Sequence, residues 1–172
     1  MDTETRTTAD SREAGLRRSI FRAAAYAAAV WATAFSLVHV YWLLGGRIGL
    51  PAGLSVLGNT PLLVIDILAV PLSAVAAALA LALVRPWGTR FPARLLTVAV
   101  RGTAALLLLH AASSVPEWVA LAVGARTASG LDAMDRFSTF VYEPFFMAGG
   151  LLFALASLGR RATASARAGA AG

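Results

Sequence analysis

Four long apolar stretches, at about residues 23–44, 62–84, 95–114 and 138–158, constrain this chain more than any other feature. At ~1.5 Å of rise per residue, the first of them gives roughly 33 Å of helix, enough to cross the hydrocarbon core of a bilayer. Backbone polar groups in lipid must be satisfied within the segment, so each stretch is predicted to be a transmembrane helix. The fold class that follows is all-α, a polytopic membrane four-helix bundle. The first stretch is too long for a signal-peptide core and three more follow it, so it reads as an uncleaved span.

Punctuation between the stretches sets their ends. Gly45-Gly46 closes the first, and a Gly- and Pro-rich loop leads to Thr60-Pro61, read as an N-cap followed by proline at the first helical position. Pro71 interrupts the second span. The third cannot run on to Val123, because that length of helix would reach roughly 43 Å. Ser114-Val115-Pro116-Glu117 has capping-box spacing, which predicts a short interfacial helix from there to about Val123. Residues 1–19 and 160–172 lack apolar periodicity and are read as disordered basic cytoplasmic tails, the first gaining helix near Leu16, around a transmembrane domain at 20–159.

Composition removes several chemistries. There is no cysteine, hence no disulfide, thiolate nucleophile or thiolate metal site. All 15 basic residues are arginine, so Schiff-base chemistry on lysine is excluded as well. The net charge of +6 does not imply a nucleic-acid partner, because the arginines are placed by topology. Arg6, Arg12, Arg17, Arg18 and Arg22, then Arg85, Arg90 and Arg94, then Arg160, Arg161 and Arg167 border every second span boundary. Arg47, Arg126 and Arg136 stand on the other side, beside Glu117, Asp132 and Asp135. This is the positive-inside pattern, and it predicts that both termini are cytoplasmic.

Two short motifs carry a resemblance. His39-Val40-Tyr41-Trp42-Leu43-Leu44-Gly45-Gly46 and Tyr142-Glu143-Pro144-Phe145-Phe146 with Gly149-Gly150 resemble the signatures of a family of small bacterial four-span membrane proteins of unknown function, DUF3995. The resemblance covers about residues 25–158. It implies a fold and a bacterial inner-membrane location, and no activity. Many members carry an arginine and a Gly-Asp pair in the third helix, around His110 to Ser114, where this chain has neither.

Ionisable groups inside spans cost about 2.5–3.5 kcal/mol each at mid-helix, so they mark candidate sites. His39, Asp66, His110 and Glu143 fall one to a helix, each roughly 6–8 Å below the outer boundary, and are predicted to converge on the bundle axis. Glu143 and His39 are expected to be the closest pair. Arg101 is out of phase with His110 and is expected to snorkel to the headgroups. Helical phase agrees with convergence: Ala32, Ser36 and His39 share one face, as do Asp66, Ala69, Val70, Ser73 and Ala77, and Thr103, Leu107, His110 and Ser114.

Three readings of such a layer compete. In the first, a pocket for a lipophilic or isoprenoid-like molecule uses Glu143 and Asp66 as acid or base and His39 and His110 as relays. Tyr41, Trp42, Trp118 and Tyr142 supply aromatic walls, with Ser114 and Glu117 as further polar contacts. In the second, His39 and His110 sandwich a b-type haem, or join Asp66 and Glu143 around a divalent metal. In the third, the layer only fixes helix pairing in an accessory subunit, or belongs to a transporter unit, which with four spans requires oligomers. The bland alternatives are a histidine bonded to a carbonyl, and carboxylates placed to favour helix N-termini.

Overall fold

A computed structural model describes the backbone of residues 2–169, with side chains described for residues 11–159. Among the described residues there are six α-helices: α1 (Asp2–Leu43), α2 (Thr60–Ala82), α3 (Ala93–Ala112), α4 (Val115–Ala122), α5 (Ala133–Phe137) and α6 (Glu143–Gly169). A turn of π-helix, Ser138–Tyr142, welds α5 to α6. Short 3₁₀ turns at Pro86–Arg90 and Ala128–Gly130 lie in the connections. Four segments are long and apolar enough to cross a membrane: Ser11–Leu43, Thr60–Ala82, Ala93–Ala112 and Ala133–Gly159. The all-α reading and the four spans hold.

The surface is inverted relative to a water-soluble bundle. Ile65, Ile67, Leu68 and Leu72 on α2, Leu106 and Leu109 on α3 and Val30 and Leu37 on α1 all face outward and are more than half exposed. His39, Asp66, Ser73, Thr139, Glu143 and Ser157 are buried. An apolar surface this extensive, with His39, Asp66 and Glu143 turned inward, suits hydrocarbon and not water.

α1 packs on both α2 and α6, and α6 packs on α3, so the first and last long helices are neighbours. Small residues allow the close approach. Ala24, Ala25, Ala28, Ala29 and Ala32 form a buried stripe on α1; the last three cluster with Ala76 and Ala80 of α2, and the first two with Ala156 of α6. Without a hydrophobic drive between helices in lipid, that contact rests on dispersion and interhelical hydrogen bonds, such as the one from Ser36 Oγ to the Val70 carbonyl at 3.3 Å.

Several expectations need correction at the ends of elements. α1 is helical from Asp2, where the sequence reading has a disordered tail up to about Leu16. A Glu13–Arg17 pair at 3.8 Å, spaced i to i+4, supports the C-terminal part of this extension. At the other end α6 continues to Gly169 in place of a tail starting at residue 160, while residues 170–172 lie outside those described. The N-cap of α2 is Asn59, one residue earlier than expected, its side chain accepting from the Leu62 N–H at 3.2 Å. The capping box at Ser114 does not form. Ser114 has helical dihedrals (φ −91°, ψ −3°) because α3 turns directly into α4, and a serine cap needs an extended residue.

Candidate functional site

The layer draws His39 from the end of α1 and Glu143 from the start of α6, near the Gly45–Asn59 loop and the α4–α5 segment, with Asp66 from α2 and His110 from α3. At the end of α1, Gly45 (φ 90°) terminates the helix in a left-handed conformation that costs glycine little. The Gly46 N–H bonds the Tyr41 carbonyl at 2.9 Å and the Gly45 N–H bonds the Trp42 carbonyl at 3.0 Å, the pairing of a Schellman cap. The loop then folds back. Trp42 Nε1 donates to the Ile48 carbonyl at 3.0 Å, and the Ile48 N–H approaches the Tyr41 hydroxyl at 3.4 Å. His39, one turn below this clasp, is only 1 % exposed.

At the start of α6 the device is the π turn. Pro144 has no N–H, so the Phe140 carbonyl has no i+4 donor, and the Glu143 N–H reaches back five residues to Ser138. The wider turn leaves the Thr139 carbonyl to accept from Trp118 Nε1 at 2.9 Å, which fastens α4 against this span. π turns recur at functional sites because they re-aim the side chains that follow. Here those side chains are Tyr142 and Glu143.

The polar groups include one carboxylate–imidazole contact and a second carboxylate near the other histidine. Glu143 Oε1 faces His110 Nε2 at 3.5 Å and is approached by Ser138 Oγ at 3.4 Å. Glu143 Oε2 is buried without a hydrogen-bond partner. Asp66, equally buried, lies within electrostatic reach of His39, and its Oδ1 is likewise unpartnered. Tyr142 lies within electrostatic reach of both carboxylates. The carboxylate–imidazole contact that forms is therefore Glu143–His110, and not the expected Glu143–His39. His110 is also less enclosed than expected, its side chain being 49 % exposed, because the buried face of α3 runs through Leu96, Val100, Ala104, Leu107 and Ala111 and leaves His110 on its flank.

His39 has a defined protonation geometry. Its Nδ1 lies 2.9 Å from the Phe35 carbonyl, which can only accept, so Nδ1 carries the proton in that bond. In a neutral imidazole Nε2 then holds the lone pair, free to act as base or acceptor.

A cavity of about 240 Å³ adjoins this histidine, between the end of α1, the start of the following loop and the α5–α6 junction. His39, Trp42, Tyr142, Phe35 and Phe145 line it, and Val38 and Val141 at its edge are about half exposed. Of the aromatic residues singled out from sequence, Trp42 and Tyr142 line this cavity. Tyr41 sits over the loop clasp. Trp118 ties α4 to the π turn, and Glu117 pairs with Arg126 at 2.5 Å. Ser114 is half-buried at the α3–α4 junction. These last four do not join the layer.

Sequence reasoning missed the aromatic column on which the layer rests. Trp31 stacks on Phe35 (5.4 Å between centroids) and Phe145 (4.8 Å), meets Phe153 edge-on (6.4 Å), and donates from Nε1 to the Phe145 carbonyl at 3.0 Å. The signal was present as Trp31, Phe35 and His39 at four-residue intervals, one face of a helix.

This column also bears on the haem reading. From His39 to Phe35 is 4.1 Å, from Phe35 to Phe146 is 5.3 Å, and from Phe146 to His110 is 4.2 Å, so rings in contact occupy the space between the two imidazoles. That packing does not fit a porphyrin held between them. Nor, among the described residues, do three His, Asp or Glu side chains come together as a group that could hold a metal ion.

No curated protein and no solved structure matches the chain. The family model described as "Protein of unknown function (DUF3995)" matches residues 32–153, a range that contains both the His39–Gly46 clasp and the Tyr142–Gly150 segment. A match over that much of the chain places this four-span helical protein in the DUF3995 family.

Proposed function

We propose that the protein is a membrane-embedded binding protein for a small lipophilic molecule, taken up sideways from the bilayer into the cavity between α1 and α6. The observation that carries this reading is the cavity itself, apolar and aromatic in its walls, edged by two lipid-exposed valines and adjoining the buried His39. At about 240 Å³ it lies just below the roughly 300–1,000 Å³ typical of pockets for drug-sized ligands, which suits a slim chain such as an isoprenoid unit. His39 Nε2 and the Tyr142 hydroxyl would orient the polar end of such a molecule. Glu143 and Asp66 would add acid–base capacity behind them, so an enzyme acting on the ligand is the natural extension of the same site. Both termini on the cytoplasmic side, the orientation favoured by the arginines, would put the mouth in the outer leaflet, and an external reading from a reporter at residue 172 would reverse that.

The test is photolabelling of the protein in vesicles with a diazirine-bearing isoprenol. Label is expected to concentrate in residues 35–49 and 137–145 and to be competed by excess farnesol. Label spread evenly over the lipid-facing surfaces of α2 and α3 contradicts the reading.

A further inference from the structure

A second concavity lies at the opposite end of α1. It measures about 520 Å³ and is lined by Gly15, Arg18, Ser19, Arg22, Ala23 and Tyr26. Arg18, Arg22 and Tyr26 repeat at four-residue intervals and so stand one above another on a single helix face. Arg85, from the connection that follows α2, sits over the Tyr26 ring with its guanidinium 5.6 Å from the centroid. Two guanidinium groups therefore line the groove, and a third, from another element, adjoins its Tyr26 wall.

The lining is rich in donors. Two guanidiniums, the Ser19 hydroxyl and the Tyr26 phenol can all donate, and no carboxylate is among the described lining residues. The neighbouring acid, Glu13, pairs outside the groove with Arg17 at 3.8 Å. Its depth is equally informative. Buried packing on α1 begins at Ala24 and Ala25, so the groove sits where the apolar span gives way to polar sequence, the level of lipid headgroups. Planar guanidiniums bind phosphate oxygens bidentately, and a headgroup at this depth brings its acyl chains alongside the helix.

We infer that this groove is a seat for the phosphodiester headgroup of an anionic phospholipid, held by Arg18, Arg22 and Tyr26 with Arg85 above. A role limited to setting topology would need only the charge, anywhere in the segment. A seat needs these positions.

Native mass spectrometry of the full chain, in micelles containing equimolar phosphatidylglycerol and phosphatidylcholine, separates the two. The wild type is expected to retain phosphatidylglycerol preferentially. R18Q/R22Q should cut that preference by roughly tenfold or more, through loss of two groups that make charge-assisted hydrogen bonds to the phosphate. R12Q/R17Q removes the same charge outside the groove and should leave the preference intact. Equal losses in the two double variants, or no preference in the wild type, would overturn the assignment. Displacement of the lipid by millimolar inorganic phosphate would also overturn it, since the groove would then be a site for a free anion.

Discussion

Trp31→Ala is expected to destabilise the protein more than any change to the polar layer itself. The side chain is 9 % exposed, and its indole touches Phe35, Phe145, Phe146 and Phe153. It also supplies a hydrogen bond from α1 to the Phe145 carbonyl. Truncating a buried Trp costs roughly 3–5 kcal/mol, most of it from the cavity left behind. Lipid cannot follow into that space, and the rings that support His39 and His110 would lose their common wall. The melting midpoint in detergent should fall by about 10 °C or more. A fall of one or two degrees would mean that the column is not what holds α1 against α6.

Gly149→Leu should act on the same contact from the other side. A Cβ at Gly149 would collide with the Trp31 indole, and one at Gly150 would come within 2.7 Å of Leu108 on α3. The Gly-Gly pair thus lets α6 approach α1 on one face and α3 on another. Overpacking of this kind costs about 1–3 kcal/mol. The informative experiment is the double-mutant cycle, since in Trp31→Ala/Gly149→Leu the new side chain enters the space the indole vacates. The two losses should be clearly less than additive, with a coupling of about 1 kcal/mol or more. Strict additivity would show that Gly149 and Trp31 do not share a surface.

These two residues also show what a sequence of this kind reveals. The spans were legible because lipid imposes length and hydropathy on a helix, and four apolar stretches meet that demand. The burial of His39, Asp66 and Glu143 was legible for a related reason, since an ionisable group inside hydrocarbon is too costly to leave facing it. Partner choice was not. Which carboxylate meets which histidine depends on the rotation of each helix, and on α6 that rotation is set by the π turn at Ser138–Tyr142. The hint was Glu143-Pro144 inside a span, a pair that first reads as an ordinary helix start. Likewise Ser114-x-x-Glu117 has the spacing of a cap without its geometry, because a cap also requires extended dihedrals that the tight α3–α4 turn does not provide. The Gly-Gly of the last span was visible as a motif, but its meaning needed Trp31 and Leu108 beside it.

Whether the cavity beside His39 holds a lipophilic molecule is open to direct measurement. The protein is purified in a mild detergent and its bound small molecules are extracted and identified by mass spectrometry, wild type against Val38→Trp/Val141→Trp. The two tryptophans would fill the mouth from either side while leaving the polar layer and the Trp31 column untouched. The wild type should carry a lipophilic molecule near one equivalent per chain that the double variant lacks, with both folded to the same melting midpoint. Equal recovery of the same lipids from the two proteins, or none from either, would mean that the cavity is a packing gap and not a binding site.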